Sequence, residues 1–143
     1  MTGQLLTSEE QQRVITAIRQ AEDHTSGEVR VHIEAKCPEP NVMDRAVQVF
    51  FLLEMNKTVQ QNGVLFYLAT DDHKFAVLGD KGIDQVVPAN FWESTKEVLR
   101  DHFRAGQIAE GLCKGIERAG QQLKQYFPRQ EDDKNELSDE ISF

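Results

Sequence analysis

The stretch GVLFYLA at residues 63–69 decides the fold of this chain. It is a short apolar run without alternation, and polar turn residues stand on both sides of it. Such a run is typical of a β-strand that is covered on both faces, because an exposed face would show alternating polar residues. A strand covered on both faces needs helices above and below it. The run therefore predicts a layered α/β domain.

Two further strands are predicted beside this run. Residues 28–34 alternate between apolar and polar side chains, which indicates a strand with one well-covered face. Residues 75–78 return after a polar turn at 70–74 and are expected to pair with the central strand as a hairpin. Because crossover connections are right-handed, the first strand should run parallel to the central one, with the third antiparallel at the edge.

Helical periodicity marks the segments outside these strands. Helix starts are predicted at Thr7 or Ser8, at Asn41 and at Pro88, and a last helix follows Gly106. The order helix, strand, helix, strand, strand, helix, helix predicts a three-layer α/β/α sandwich, Rossmann-like, around a small mixed β-sheet.

Side-chain burial within the helices is predicted from the same periodicity. In the first helix, Glu22 is assigned to the solvent face. The apolar side chains expected to be buried in or just after the second helix are Val47, Phe50, Phe51 and Met55. In the last helix, Gly111 and Gly115 are expected to let another element approach closely. The glycines of the loop at residues 79–82 suggest either a positive φ or a close backbone approach.

Composition excludes several classes of function. A chain of 143 residues has the length of one domain. Its formal charge of −8 disfavours nucleic acid, and no apolar run reaches the length of about 20 residues that spans a bilayer. The N-terminal residues lack the pattern of a signal peptide, and Cys37 and Cys113 lack disulfide-scaffold or zinc spacing. We therefore expect a cytoplasmic protein. We also expect a monomer, although the sequence carries no signal for the oligomeric state.

The last residues, 128–143, differ in composition from the rest of the chain. They are rich in acids and contain few apolar residues, which predicts an acidic, partly mobile C-terminal tail. Solvated disorder is the favoured interpretation of this tail. The alternative is that its acids chelate cations or contact a basic partner.

Several short motifs together resemble the TPM domain family. They are SGEVRV at 26–31, NGVL at 62–65, DDHK at 71–74, GDKGID at 79–84 and FRAG at 103–106. The resemblance covers residues 5–127 in consistent order and is closest to the short bacterial branch without a signal peptide. It implies the fold predicted above. Through the related proteins of the thylakoid lumen, the resemblance also implies calcium binding and an acid phosphatase activity that has been proposed for them.

Acidic residues are predicted to meet at one end of the sheet. If the first two strands are parallel, Glu28 begins at the edge where the antiparallel third strand finishes, close to Asp80 and Asp84. Carboxylate and carbonyl oxygens are the ligands that Ca²⁺ and Mg²⁺ prefer. The sequence therefore predicts a divalent-cation site there. The alternative is that these acids are turn formers and a solvated charge at the start of a strand.

The opposite end of the sheet carries a second acidic pair. Asp71 and Asp72 follow the central strand, in the hairpin turn. They are either a second cation site or residues that support the turn geometry. A metal-held phosphate at this position could in principle be attacked by an activated water.

No common catalytic motif is present: the sequence lacks GxSxG, a Walker loop, HExxH and a catalytic Cys/His pattern. We therefore expect a non-catalytic interaction module that binds Ca²⁺ or Mg²⁺ and acts through a protein partner. The alternative is a weak metal-dependent acid phosphatase acting on phosphomonoesters. A third possibility is a purely structural domain without a ligand.

Overall fold

The computed structural model describes residues 6–129 and 136–143. The elements in these residues are α1 (Ser8–Glu22), β1 (Glu28–Glu34), α2 (Val42–Leu52), a 3₁₀-helix (Met55–Lys57), β2 (Gly63–Ala69), β3 (Lys74–Gly79), α3 (Lys81–Asp84), α4 (Glu93–Arg104) and α5 (Ile108–Tyr126). None of the helices in this part of the chain is both long and apolar enough to cross a membrane.

The strands form one mixed sheet in the order β1-β2-β3. β1 pairs in parallel with β2, beginning with Glu28 opposite Gly63, and β3 pairs antiparallel with β2, with Gly79 opposite Val64. All residues of β2 are buried, as expected of a central strand covered on both faces. The predicted strand directions and the predicted α/β class are confirmed.

Two apolar clusters lie on opposite faces of this sheet. On one face, Val29, Val31 and Phe66 pack with residues of α1, α4 and α5. On the other face, Leu65 and Tyr67 pack with residues of α2. Odd and even positions of β2 therefore serve different clusters, because successive side chains of a strand point to opposite faces. The result is a three-layer sandwich.

The burial predicted for the second helix is only partly right. Phe50 and Met55 are buried as predicted, whereas Val47 and Phe51 are 38% and 55% exposed. The buried residues of α2 are Ala46, Val49 and Phe50. These positions lie three and four residues apart and face the sheet. Because apolar residues surround much of this helix, its sequence does not show which side is covered.

The structure also differs from the prediction at the start of α4, and it decides between the two alternatives for the loop at residues 79–82. The helix predicted to begin at Pro88 begins instead at Glu93, after turns in which Phe91 and Glu93 donate to the carbonyls of Pro88 and Asn90. The loop at residues 79–82 has no positive φ. Gly82 is needed for close approach, because an added Cβ would lie 2.3 Å from the carbonyl oxygen of Gln60.

The glycines of α5 serve packing, as predicted. An added Cβ at Gly115 would lie 2.7 Å from Cδ2 of Leu99, and one at Gly111 would lie 2.8 Å from Cβ of His102. Both neighbours belong to α4. The two helices therefore approach more closely than a larger residue would allow.

The C-terminal segment, residues 136–143, reaches the outer edge of β1 at Ser142. Ser142 donates its amide to the carbonyl of Val31, and the amide of Ile33 donates to the carbonyl of Ser142. This parallel bridge places Ile141 in the main apolar cluster. Residues 130–135 of the predicted tail lie outside the described residues, and the mobility of the tail stays a prediction.

Candidate functional site

Glu28, Gly63 and Asp80 lie in one row across the start of the sheet. Glu28 pairs with Gly63, and the amide of Asp80 donates to the carbonyl of Gly63 at 2.9 Å. Register and strand alternation put Glu28 on the face that carries Leu65 and Tyr67, and Asp80 follows directly on the last residue of β3. The confirmed strand directions therefore bring these two acids to the same end of the sheet, on its two outer strands.

Asp80 is the buried acid of the loop between β3 and α3. It caps α3, with its Oδ1 accepting the amide of Lys81 at 2.7 Å. The residue is 7% exposed, and its Oδ2 is buried without a hydrogen-bond partner in the part of the chain that the structure describes. Asp84 lies one turn further along α3, and partial burial and the charge of Asp80 raise the pKa of Asp84. Of these two acids, Asp80 is therefore the one with a carboxylate oxygen left to bind a positive charge.

Glu28 is engaged by the C-terminal segment. Its Oε1 accepts the amides of Glu136 at 2.5 Å and Leu137 at 2.6 Å. Burial raises the pKa of Glu28 to about 7, against the opposing effect of these two amides. Above Gly63, between Glu28 and Asp80 in the row, lie the Cδ1 atom of Leu137 and the carbonyl oxygen of Met55. Part of the predicted cation site is thus occupied by the segment.

Asp71 and Asp72 lie at the opposite end of the sheet, in the turn between β2 and β3, and both are exposed. Asp72 Oδ2 accepts the amide of Cys37 at 2.7 Å, which ties the hairpin to the loop after β1. His73, the next residue, adopts a left-handed conformation with φ 56°. Asp72 therefore stabilises this turn through its hydrogen bond to the loop after β1.

Protein side chains do not by themselves complete a metal site in the part of the chain described. No group of three or more His, Cys, Asp and Glu residues in residues 6–129 and 136–143 is arranged to hold a metal ion. A cation at the row of Glu28 and Asp80 would therefore need backbone carbonyl oxygens or water to complete its coordination.

Glu22 is a buried acid that the sequence did not reveal. The prediction that it faces solvent is wrong, since it is buried and its Oε2 accepts the amide of Val29 at 3.1 Å. Burial, together with a hydrogen bond to Asp139, raises the pKa of Glu22 to about 9. No local pattern signals this contact, because Asp139 belongs to the C-terminal segment.

A charged network lies at the other end of β1. Glu34 accepts hydrogen bonds from Arg45 at 2.9 Å and 3.0 Å, from the hydroxyl of Tyr67 and from His32. Burial alone would raise the pKa of Glu34, but these hydrogen bonds lower it to about 2. The second ring nitrogen of His32 lies 2.9 Å from the hydroxyl of Ser142. The network joins β1 to α2 and to the C-terminal segment.

Comparison with known proteins agrees with this architecture. The family model described as TPM domain matches residues 2–122. The solution NMR structure of the BA42 protein from the psychrophilic bacterium Bizionia argentinensis is similar, with 46% sequence identity and a TM-score of 0.92. That match covers 98% of this chain and 96% of the other. None of the curated proteins matches this sequence. The chain belongs to the TPM domain family.

Proposed function

We propose that this chain is a non-catalytic interaction module that binds a divalent cation, Ca²⁺ or Mg²⁺, beside Asp80. The observation that carries the proposal is the Oδ2 atom of Asp80, which is buried and has no hydrogen-bond partner among residues 6–129 and 136–143. A buried carboxylate oxygen without a partner is unfavourable, and a hard cation is a suitable partner for it.

Other oxygen atoms that could serve as metal ligands belong to α3 and to the loop that packs against it. The main-chain carbonyls of Gln60 and Gln61 lie against Gly82, two residues further along the chain. Asp84 supplies a second carboxylate on the same turn of α3. Ca²⁺ accepts this mixture of carboxylate, carbonyl and water ligands. Glu28 would join the ligands only after exchanging its hydrogen bonds to Glu136 and Leu137.

A second cation site at Asp71 and Asp72 is proposed on weaker support. The two carboxylates are adjacent and exposed in the hairpin, but one oxygen of Asp72 is already used by the amide of Cys37. Hydrolysis of phosphomonoesters at this turn stays a prediction that rests on the family resemblance alone.

The interaction part of the proposal is supported by the outer face of α2. Met43, Val47 and Phe51 lie four residues apart and are exposed, and Leu52 beside them is more exposed still. Exposed apolar side chains that form one stripe are a common feature of surfaces that bind other proteins. We therefore propose that this stripe binds a protein partner. A cytoplasmic location for the module is also a proposal.

Titration of the full chain with calcium chloride and magnesium chloride, followed by amide NMR, tests the cation site. We expect the amide signals of residues 79–84 to move, and Asp80→Asn to weaken binding at least about tenfold, because a charged ligand is lost. Asp101→Asn, on an exposed position of α4, is the matched control and should bind as the native chain does. A concentration of about 10 mM lies above the Kd of weak calcium modules. If neither calcium nor magnesium moves these signals at that concentration, the cation site is refuted.

A further inference from the structure

We propose that the outer edge of β1 is a binding site for an extended peptide strand of a partner protein, and that the C-terminal segment occupies this site as a resident ligand. β1 is the outermost strand of the sheet. Its outward-facing carbonyl at Val31 and amide at Ile33 are both paired with Ser142. Addition of a strand to an exposed sheet edge is an established mode of peptide recognition.

Three contacts of β1 hold the C-terminal segment in place. The first is the backbone pairing with Ser142. The second is an apolar pocket that takes Ile141, which is 9% exposed and packs in the main cluster. The third is the carboxylate of Glu28, which accepts two successive amides of the segment. Hydrogen bonds of amides to a carboxylate are stronger than those between neutral groups.

Most of these contacts are made to the main chain of the bound segment. Two of its side chains are also contacted: Ile141 lies in the apolar pocket, and the hydroxyl of Ser142 lies 2.9 Å from Nδ1 of His32. A partner strand that fits this edge therefore carries an apolar residue followed by a hydroxyl residue. Its remaining positions are free to differ from the resident segment.

Charge indicates how the partner differs from the resident segment. The segment brings Glu136 and Asp139 to an edge where Glu22 and Glu28 are already buried. The charges of Glu136 and Asp139 act against ionisation of Glu28, while Arg19 lies 3.5 Å from Asp139 and offsets part of the repulsion. A strand with a neutral amide at the position of Asp139 would donate to Glu22 without adding charge. The edge therefore favours a less acidic strand than its own.

Tethering explains how the resident segment competes with a partner. A covalently linked strand has an effective concentration in the millimolar range, so a free peptide binds weakly while the resident segment is in place. Weakening the pairing of the segment should expose the edge. This proposal does not depend on the cation site.

The test uses the full chain with Ser142→Pro, which removes the amide that donates to Val31. The probe is a synthetic peptide of residues 136–143. We expect it to move the amide signals of residues 31–33 and to bind the variant at least about tenfold more tightly than the native chain. A second peptide with Asn at position 139 should bind more tightly than the first. The control, Glu140→Gln at an exposed position, should behave as the native chain.

Hydrogen exchange of the native chain gives a second measurement, which decides the question if the proline variant does not fold. The backbone amides and carbonyls of residues 29, 31 and 33 point away from β2, so the Ile33 amide depends on Ser142, whereas the His32 amide points toward β2. We expect the Ile33 amide to exchange at least about tenfold faster than that of His32, because the segment opens locally. Equal exchange rates, or a folded Ser142→Pro chain that binds no peptide at residues 31–33, would overturn the proposal. Equal peptide affinity for the native and variant chains would also overturn it.

Discussion

The side chains of Glu22 and Asp139 are hydrogen-bonded to each other, Glu22 at the end of α1 and Asp139 in the C-terminal segment. Two carboxyl groups make such a bond only when one of them carries a proton. Burial and then the bond to Asp139 raise the pKa of Glu22 from 4.5 to about 9. The folded chain therefore keeps a proton at neutral pH that the unfolded chain has released.

This proton makes folding depend on pH. Because the folded pKa of Glu22 lies above the unfolded value, its contribution is fully present below the unfolded pKa of 4.5 and is lost as pH rises to about 9. We expect the free energy of unfolding to fall across this range in urea titrations. Glu22→Gln keeps an acceptor for Val29 and a donor for Asp139, so it should raise stability at pH 8 by more than about 1 kcal/mol.

The control for this prediction is Glu9→Gln, at an exposed position of the same helix. It should leave the pH dependence of unfolding unchanged. A Glu22→Gln chain whose stability still falls as steeply between pH 5 and pH 9, relative to the control, would mean that Glu22 is ionised in the folded protein.

The pair of Glu34 and Arg45 should show the opposite dependence. The pKa of Glu34 is lowered to about 2, so its stabilising contribution is present above 4.5 and is lost as pH falls to about 2. Arg45→Met leaves the carboxylate without its bidentate partner and should cost about 1–3 kcal/mol at pH 7. Arg13→Met, which breaks the exposed pair with Glu110, should cost less than about 1 kcal/mol. Equal losses in the two variants would contradict the assigned network.

Two glycine substitutions separate a steric cost from a backbone cost. Gly82→Ala would press a methyl group against the carbonyls of Gln60 and Gln61, so we expect a loss of about 2 kcal/mol or more. Gly106 has φ 76° and open space around it, so Gly106→Ala should lose only about 1 kcal/mol, from the left-handed backbone. Thermal unfolding of both variants measures which one loses more stability. A smaller loss for Gly82→Ala than for Gly106→Ala would contradict the prediction.

Adjacent phenylalanines of α2 should respond differently to truncation. Phe50 is buried against the sheet, whereas Phe51 is mostly exposed. We expect Phe50→Ala to cost about 3–5 kcal/mol and Phe51→Ala to stay within about 1 kcal/mol of the native chain. Urea denaturation distinguishes them. A large loss at Phe51 would mean that its side chain is covered in solution, for example by a second copy.

Much of the fold was predictable because it depends on local patterns. The run of residues 63–69 predicted a strand covered on both faces, and β2 is such a strand. The alternation of residues 28–34 predicted β1, and the handedness of the crossover predicted that it is parallel to β2. The same directions place Glu28 and Asp80 at one end of the sheet, and the cation site there stays a prediction.

The sequence alone thus determined the strands, their directions and the family, since period, turn residues and chain order are local properties. Tertiary structure decided which side of α2 is covered, because an apolar helix surface does not reveal the position of the sheet. It also decided that Glu22 is buried and that Glu28 holds the C-terminal segment. These contacts join residues far apart in the chain, so only the folded arrangement brings their carboxyl and amide groups together.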